Sequence, residues 1–83
     1  MADADPAELW RRARAGDAQA REELIRRNLP LVHHVAGRFR STGIEYEELV
    51  QIGSIGLVKA VDGFDPTRGV RFSTYAVPVI TGE

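Results

Sequence analysis

The residues best suited to binding chemistry lie around one predicted turn near the C-terminal end of the chain. They combine guanidinium groups, a hydroxyl group and aromatic rings, on Arg68, Arg71, Phe72, Thr74 and Tyr75. Such a set suits unpaired nucleic-acid bases, because arginine pairs with phosphate and a stacked ring is worth about 1 to 3 kcal/mol per base. A turn whose Phe and Tyr simply belong to the core explains the same pattern. Spacing alone leaves both interpretations open.

Catalysis and metal binding find little support in the sequence. His33 and His34 are adjacent, so on a helix their side chains diverge by about 100°, and no other ligand-type residue lies at a suitable spacing. The chain has no cysteine, which excludes thiolate chemistry. No serine lies in a nucleophile motif, and neither histidine has an evident orienting partner. We therefore expect surface histidines, no metal, no other cofactor and no enzymatic activity.

Residues 53–56, GSIG, match the GXXG loop with which KH domains clamp a nucleic-acid backbone. The apolar pattern continues through both glycines without a change of phase, which favours a helix interior, although each glycine costs about 1 kcal/mol relative to alanine. The strands of a KH domain are also missing from the pattern. A KH-like RNA binder therefore stays an alternative, and we expect Gly53 to allow the close approach of a neighbouring helix.

The periodic stretch from Glu48 to Asp65 predicts the helix around which the chain is organised. At about 100° per residue, one side forms an apolar stripe that we assign to the core. Its members are Leu49, Val50, Gly53, Leu57, Ala60, Val61 and Phe64. The other side places three aliphatics, Ile52, Ile55 and Val58, among Glu48, Gln51, Ser54, Lys59 and Asp62. Single exposed aliphatics are common on protein surfaces, whereas contiguous ones more often mark an interaction site, so this side is a candidate docking surface and spacing alone leaves both interpretations open.

Capping signals divide the first part of the chain into two further helices. Asp5 before Pro6 predicts a helix that ends at Gly16, with Trp10 as a packing anchor. Asp17 can cap a second helix that runs to about Asn28. The outward Glu22/Arg26 and Glu23/Arg27 pairs of this helix indicate a solvated face.

The remaining boundaries follow from proline, glycine and serine. Pro30 should break or kink the axis before a third helix, whose inward stripe is Leu31, Val32, Val35, Ala36 and Phe39. Gly43 closes this helix in a left-handed conformation, and the central helix then begins near Glu45 and ends near Gly63. Ser73 can cap a last helix through Ile80, which Pro78 should bend.

Length and composition indicate one small domain, and the predicted helices joined by short turns make it an all-α bundle of four to five helices over residues 1–83. No apolar run approaches the roughly 20 residues of a membrane span, and we interpret the chain as cytosolic. The net charge of −1 gives no argument for nucleic acid. From Thr42 onward three basic residues face six acidic ones, so a basic partner suits the half that carries the docking surface.

Three segments closely resemble conserved region 2 of bacterial RNA polymerase sigma factors. They are Asn28–Val32, Glu48–Asp65 and Arg71–Ala76, and the resemblance extends from about Asp17 to Glu83. It implies a transcription-initiation subunit that docks on the coiled coil of the beta-prime subunit of RNA polymerase. The matching docking positions are Glu48, Gln51, Ser54 and Val58, and we add Ile52 and Ile55 from the same helix face.

The resemblance also assigns strand-opening residues, which here are Phe64, Arg68, Arg71, Phe72, Thr74 and Tyr75. The sequence departs from housekeeping sigma factors at several of the family's positions. Ile52 replaces an acid, Ser54 an amide and Val70 an aromatic residue, and Pro78 and Val79 replace two tryptophans. The ending Tyr75–Glu83 resembles the sporulation and general-stress branch instead.

The resemblance further implies a promoter-reading helix that continues past Glu83, followed by DNA-binding domains. We therefore expect an N-terminal part that docks on polymerase without reading promoters alone, and an anti-sigma protein as a further partner. A small helical adaptor without a role on DNA is the alternative.

Overall fold

The computed structural model describes residues 5–82, which form five α-helices and two 3-10 turns. The helices are α1 (Pro6–Arg14), α2 (Ala18–Arg27), α3 (Leu29–Gly37), α4 (Tyr46–Gly63) and α5 (Phe72–Thr81). The 3-10 turns are Arg40–Thr42 and Pro66–Arg68. No strand occurs between residues 5 and 82, and the prediction of an all-α bundle is confirmed.

The predicted capping residues begin the first two helices. The Asp5 carboxylate accepts a hydrogen bond from the Ala7 amide at 3.0 Å, and Asp17 accepts from the amides of Gln19 and Ala20. These side chains satisfy amides that have no partner inside the helix. The axis breaks at Asn28 between α2 and α3, which places Pro30 in the first turn of α3, where its missing N–H costs nothing.

Two predicted boundaries were wrong by a few residues. α3 ends at Gly37. Beyond it, the amides of Arg38 and Phe39 donate hydrogen bonds to the carbonyls of Val35 and Ala36, three residues back, which is the pattern of a 3-10 turn and not of an α-helix. Gly43 nevertheless adopts the predicted left-handed conformation, with φ +86°, after the 3-10 turn.

The last helix begins before the predicted serine cap. α5 starts at Phe72 with Arg71 at the N-cap, and the Arg71 carbonyl accepts from the amides of Thr74 and Tyr75. The Phe72 ring packs against Trp10, with ring centroids 5.1 Å apart, and so draws the start of α5 into the bundle. Ser73 therefore lies inside the first turn and does not cap it.

α4 lies at the centre of the bundle and packs most extensively against α5 and α3, while α1 packs on α2. The predicted stripe supplies its buried residues Gly53, Leu57, Ala60 and Val61, together with Phe64 just beyond the helix. Leu49 and Val50 are only half-buried, and Gly56 is buried although the stripe did not include it.

Gly53 is the point of closest approach between α4 and its neighbours. A Cβ atom at this position would lie 2.9 Å from Cγ1 of Val32 on α3 and 3.4 Å from Cγ2 of Ile80 on α5. The predicted packing role of Gly53 is therefore confirmed. Residues 53–56 lie in the interior of α4 and form no loop, so the KH-like alternative was wrong.

Two expectations concern the ends of the chain and the membrane. α5 is described as far as Thr81, so the expected continuation past Glu83 lies outside the described residues. No helix within the described range is both long and apolar enough to cross a membrane.

Candidate functional site

The outer face of α4, defined by Glu48, Gln51, Ile52, Ser54, Ile55 and Val58, remains largely accessible. Ile55 lies at its centre and is 57% exposed, and Ile52 is 39% exposed. Glu48 and Gln51 are exposed beside them. The predicted cluster of accessible aliphatics among polar groups therefore exists in the structure.

The two remaining residues of the outer face of α4 are less accessible. Ser54 is half-buried, and its hydroxyl donates to the carbonyl of Val50 at 2.7 Å, so it is already engaged within the helix. Val58 is half-buried on the same flank of the helix. These two residues form the edge of the surface, while Ile55 forms its most accessible part.

Asp62 lies on the outer side of α4 but belongs to the structural contacts of the bundle. Its carboxylate receives two hydrogen bonds from Arg21 of α2, from Nε at 2.7 Å and from Nη2 at 3.0 Å. This bidentate pairing lowers the pKa of Asp62 below its ordinary value, mainly through the hydrogen bond from Arg21. The Asp62–Arg21 pair thus connects α4 to α2.

An apolar groove adjoins the outer face of α4 on the side of α5. It has a volume of about 210 Å³ and lies between α3, α4 and the end of α5. Ile52 forms one wall together with Leu49, and Ile44, which is 43% exposed, forms part of the rim. Ile52 therefore faces both the docking surface and this groove.

The second candidate site is a pocket of about 300 Å³ at the turn between α4 and α5. Its walls come from both helices and from the 3-10 turn, and its lining residues are Gly63, Phe64, Asp65, Arg68, Val70 and Tyr75. Arg68 has a side chain that is 79% exposed, and Tyr75 is 36% exposed. The pocket combines a cation, a ring and apolar walls in one concave site.

Aromatic rings connect this pocket to the interior. The ring cluster consists of Trp10, Phe64, Phe72 and Tyr75, whose neighbouring ring centroids lie 4.9 to 5.5 Å apart. Phe64 is 8% exposed and Trp10 is 7% exposed, so both belong to the core, as the sequence predicted for each of them. Phe72 is half-buried, and Tyr75 carries the cluster to the surface.

Asp65 organises the turn that forms the floor of the pocket. Its carboxylate accepts from the amide and the hydroxyl of Thr67, at 2.9 Å and 2.6 Å, and pairs with Arg14 of α1 at 2.9 Å. Arg68 approaches the same carboxylate at 3.5 Å. The hydrogen bonds from Thr67, which stabilise the charged form, contribute most to lowering the pKa of Asp65 to about 2.

The structure brings together only some of the predicted strand-opening residues. Phe64, Arg68 and Tyr75 line the pocket, and Phe72 supports them from behind. Arg71 and Thr74 are exposed at the start of α5 but do not line it.

Sequence reasoning missed the ion pair between Asp65 and Arg14. It also missed the contact between the Tyr75 hydroxyl and Gly63, where a Cβ added to Gly63 would lie 2.8 Å from Oη of Tyr75. The Asp-Pro-Thr sequence of residues 65–67 was the available signal for Asp65, because an aspartate there commonly accepts from the amide two residues on. Arg14 and the Gly63 contact come from tertiary packing and left no local signal.

The histidines lie on the surface. His33 Nδ1 lies 2.9 Å from the Tyr46 hydroxyl, and His34 Nε2 lies 3.2 Å from Arg38. In the part of the chain that the structure describes, no group of three or more His, Cys, Asp or Glu side chains could hold a metal ion.

Comparison with known protein families decides what kind of domain this is. The Sigma-70 region 2 family matches residues 24–83, from within α2 through the ring-bearing turn and α5. The chain belongs to this sigma factor family. Its members are transcription initiation factors and not enzymes, which agrees with the expectation that the chain has no catalytic activity.

Three similar proteins indicate to which branch of the sigma factor family the chain is related. The RNA polymerase sigma-F factor of Bacillus subtilis (strain 168) is 52% identical over 83 residues, which cover 100% of this chain and 32% of that protein. The sigma-G factor of the same organism is 52% identical over 68 residues, or 82% of this chain and 26% of that protein. The sigma-E factor of Clostridium acetobutylicum is 46% identical over 68 residues, which cover 82% of this chain and 29% of that factor.

These matches confirm the resemblance drawn from the sequence and place the chain in the sporulation branch of sigma factors. The chain spans about a third of the length of the relatives or less. α1 lies outside the region that matches the family, although the sigma-F relative aligns with it.

Proposed function

We propose that this sigma factor domain docks on the coiled coil of the beta-prime subunit of RNA polymerase, and that its turn pocket holds unpaired bases of promoter DNA during opening. The docking surface is the outer face of α4. The DNA-facing residues are Arg68, Arg71, Phe72, Thr74 and Tyr75, and the buried Phe64 supports them from the core. The work of both sites takes place in the cytoplasm, where the polymerase acts.

The exposed isoleucines of α4 carry the docking proposal. A small domain is stabilised by burying apolar surface, yet its central helix leaves Ile55 57% exposed and Ile52 39% exposed. Neighbouring exposed aliphatic side chains of this kind are typical of a binding surface. A helix of a partner that packs on Ile55 would bury both side chains in one continuous contact.

The acidic residues in the first turn of α4 favour a basic partner. Glu47 and Glu48 are exposed in the first turn of α4, beside Gln51. A basic helix laid along the outer face of α4 would meet these carboxylates at one end and the isoleucines at its centre, which fixes its register.

The turn pocket supports the proposal for DNA because it offers the contacts that an unpaired base and its phosphate need. The Tyr75 ring provides an accessible stacking face, and Arg68 lies beside it with most of its side chain in solvent. Phe64 is buried, so we assign it to supporting Tyr75 and not to touching a base.

Titration of the chain against a beta-prime coiled-coil fragment tests the docking site. Gln51→Ala and Val58→Asp should each weaken binding, Val58→Asp by about tenfold or more because a partner would bury the new charge beside Ile55. Gln19, the only other glutamine of the chain, is exposed on α2, so Gln19→Ala is the matched control and should bind normally. Binding that is indifferent to Val58→Asp would refute the docking site.

Binding of a DNA duplex with a single-stranded overhang tests the turn pocket in a complex of the chain with core polymerase. Tyr75→Ala should weaken overhang binding by about fivefold or more, the loss of one stacked ring, while polymerase binding stays normal. Phe72→Ala should also weaken overhang binding. Because the Phe72 ring packs on Trp10, the free energy of unfolding of this variant must be measured in parallel.

Val70→Asp is the control for Val58→Asp, because it makes the same substitution in the turn pocket instead of the docking surface. Val70 is 46% exposed and lines the turn pocket, away from the outer face of α4. We expect it to weaken overhang binding and to leave docking intact. Equal losses of docking and overhang binding in the Tyr75, Phe72 and Val70 variants would mean that this region only supports the fold.

An anti-sigma protein is a further proposed partner, which rests on the family resemblance alone. The adaptor without a role on DNA would be favoured if docking were normal and no turn variant changed overhang binding.

A further inference from the structure

The first helix makes two contacts with the proposed DNA-facing site, although it lies outside the region that matches the family. The first contact is made by Trp10. Its ring centroid lies 4.9 Å from that of Phe64 and 5.1 Å from that of Phe72, at tilted angles. Phe64 in turn contacts Tyr75 with a centroid distance of 5.5 Å. A continuous series of rings thus runs from α1 to the surface of the pocket.

The indole limits where the other rings can lie. Trp10 is 7% exposed and Phe64 is 8% exposed, so both are enclosed by the bundle. Close-packed rings of this kind cannot move independently, because any shift of Phe64 must be accommodated by Trp10 and by Phe72. The position of the accessible Tyr75 ring therefore depends on a residue of α1 that touches no solvent-facing part of the pocket.

The second contact is the ion pair between Arg14 and Asp65. Arg14 Nη1 lies 2.9 Å from Asp65 Oδ1, and 51 positions of sequence separate the two residues. Asp65 is also the residue that caps the 3-10 turn through Thr67 and approaches Arg68. Arg14 thus fixes the carboxylate around which the floor of the pocket is folded.

We propose that α1 is a positioning element of the DNA-facing site, in which Trp10 holds the ring cluster and Arg14 holds the turn through Asp65. The inference rests on the proposed role of the turn pocket. Neither residue needs to touch DNA. Their effect is to keep Tyr75 and Arg68 in place before a base arrives, which reduces the ordering cost of binding.

Trp10 variants test the first contact in the complex of the chain with core polymerase, with the duplex and single-stranded overhang as probe. Trp10→Leu should weaken overhang binding by about fivefold to tenfold, the size expected for the loss of two ring pairs. Trp10→Phe keeps a ring against Phe64 and should restore binding to within about twofold. Docking on polymerase should stay normal in both variants.

Leu9→Ala separates positioning from general stability. Leu9 is 3% exposed on the same helix but has no ring, so this variant destabilises α1 without removing a member of the ring cluster. Measured well below its unfolding temperature, Leu9→Ala should bind the overhang normally. A loss equal to that of Trp10→Leu would overturn the inference.

A double-mutant cycle tests whether Trp10 acts through Tyr75. If it does, Trp10→Leu should have little further effect once Tyr75→Ala has removed the ring, so the two losses should not multiply. Independent, multiplying losses would overturn the inference, because they would show that Trp10 affects DNA by another route.

Arg14 and Arg11 provide a charge-matched pair of variants. Both arginines belong to α1, but Arg11 pairs with Glu8 of the same helix. Arg14→Gln should weaken overhang binding by about twofold to fivefold, the range of a partly exposed ion pair, and Arg11→Gln should leave it unchanged. Equal losses would show that only positive charge matters and would overturn the role of Arg14.

The outcomes for α1 and for the pocket itself can be told apart. If Tyr75→Ala weakens overhang binding and Trp10→Leu does not, the proposed function stands and the inference about α1 is wrong. If Tyr75→Ala has no effect, the proposed DNA-facing role fails, and the inference about α1 fails with it.

Discussion

Replacement of Gly53 by alanine tests the packing around which the bundle is built. Two opposing effects decide the result. Alanine in a helix interior is about 1 kcal/mol more favourable than glycine. Against this, the new Cβ would lie 2.9 Å from Val32 Cγ1 and 3.4 Å from Ile80 Cγ2. Extra methyl groups in a well-packed core cost about 1 to 3 kcal/mol.

The neighbour decides which effect is larger. Val32 is 0% exposed, and as a β-branched residue on a helix it has one strongly preferred χ1 rotamer, so its methyl group cannot turn aside. We therefore take a cost near the middle of the range and expect Gly53→Ala to lower the free energy of unfolding by about 1 kcal/mol net. In a domain of this size that corresponds to a fall in Tm of about 4 to 8 °C.

Thermal and urea unfolding followed by circular dichroism measure this change, with Gly37→Ala as a matched control. Gly37 ends α3, has no atom within 4 Å of an added Cβ and needs no positive φ. Gly37→Ala should therefore raise stability by up to about 1 kcal/mol. In a Val32→Ala background, which removes the obstructing methyl groups, Gly53→Ala should no longer destabilise. Stabilisation by Gly53→Ala in the wild-type background would refute the close approach of α3 and α4.

Two further predictions concern the turn and the last helix. The pKa of Asp65 is lowered from 3.8 to about 2, so its ionised form contributes stability that is present above about pH 4 and is lost as the pH falls towards 2. Asp65→Asn should flatten the fall in Tm over this pH range in thermal melts, and an unchanged profile would refute the contribution. Pro78 is exposed inside α5, where it has no amide hydrogen to donate to the helix. Pro78→Ala should therefore raise the free energy of unfolding by about 1 to 3 kcal/mol, measured by urea titration. A loss of stability would show that the helix requires the proline there.

Local signals in the sequence predicted much of the fold. Asp5 and Asp17 cap helices because their carboxylates reach amides two or three residues away, an interaction that the local sequence encodes. The left-handed conformation of Gly43 is local in the same way. The apolar period of α4 predicted its buried side and its accessible side, since both follow from one helical repeat.

The failures came from contacts between distant parts of the chain. Ser73 was predicted as a cap, but the packing of Phe72 on Trp10 starts α5 earlier, and these residues are far apart in the sequence. Arg14 pairs with Asp65 across 51 positions of sequence, so no local signal could predict that contact.

The two sites of the chain were predictable to different degrees. The outer face of α4 belongs to one helix, so its residues could be identified from spacing. The turn pocket is formed by α4, the 3-10 turn and α5, with Arg14 of α1 paired to Asp65, so the resemblance could name its residues but could not show which of them line one pocket. Phe64 belonged to two predictions, because the apolar stripe assigned it to the core, where it lies, and the resemblance assigned it to the strand-opening set.

A photo-crosslinking residue at position 55 gives the most direct measurement of the docking proposal. Ile55 is the most accessible aliphatic residue of the outer face of α4, so a crosslinker there would touch a partner without disturbing the core. In a complex with core RNA polymerase, we expect a crosslink to the beta-prime coiled coil, and none from a crosslinker at the exposed Gln19 of α2. Crosslinking of position 55 to another subunit, or binding to polymerase without any crosslink from position 55, would contradict the proposal.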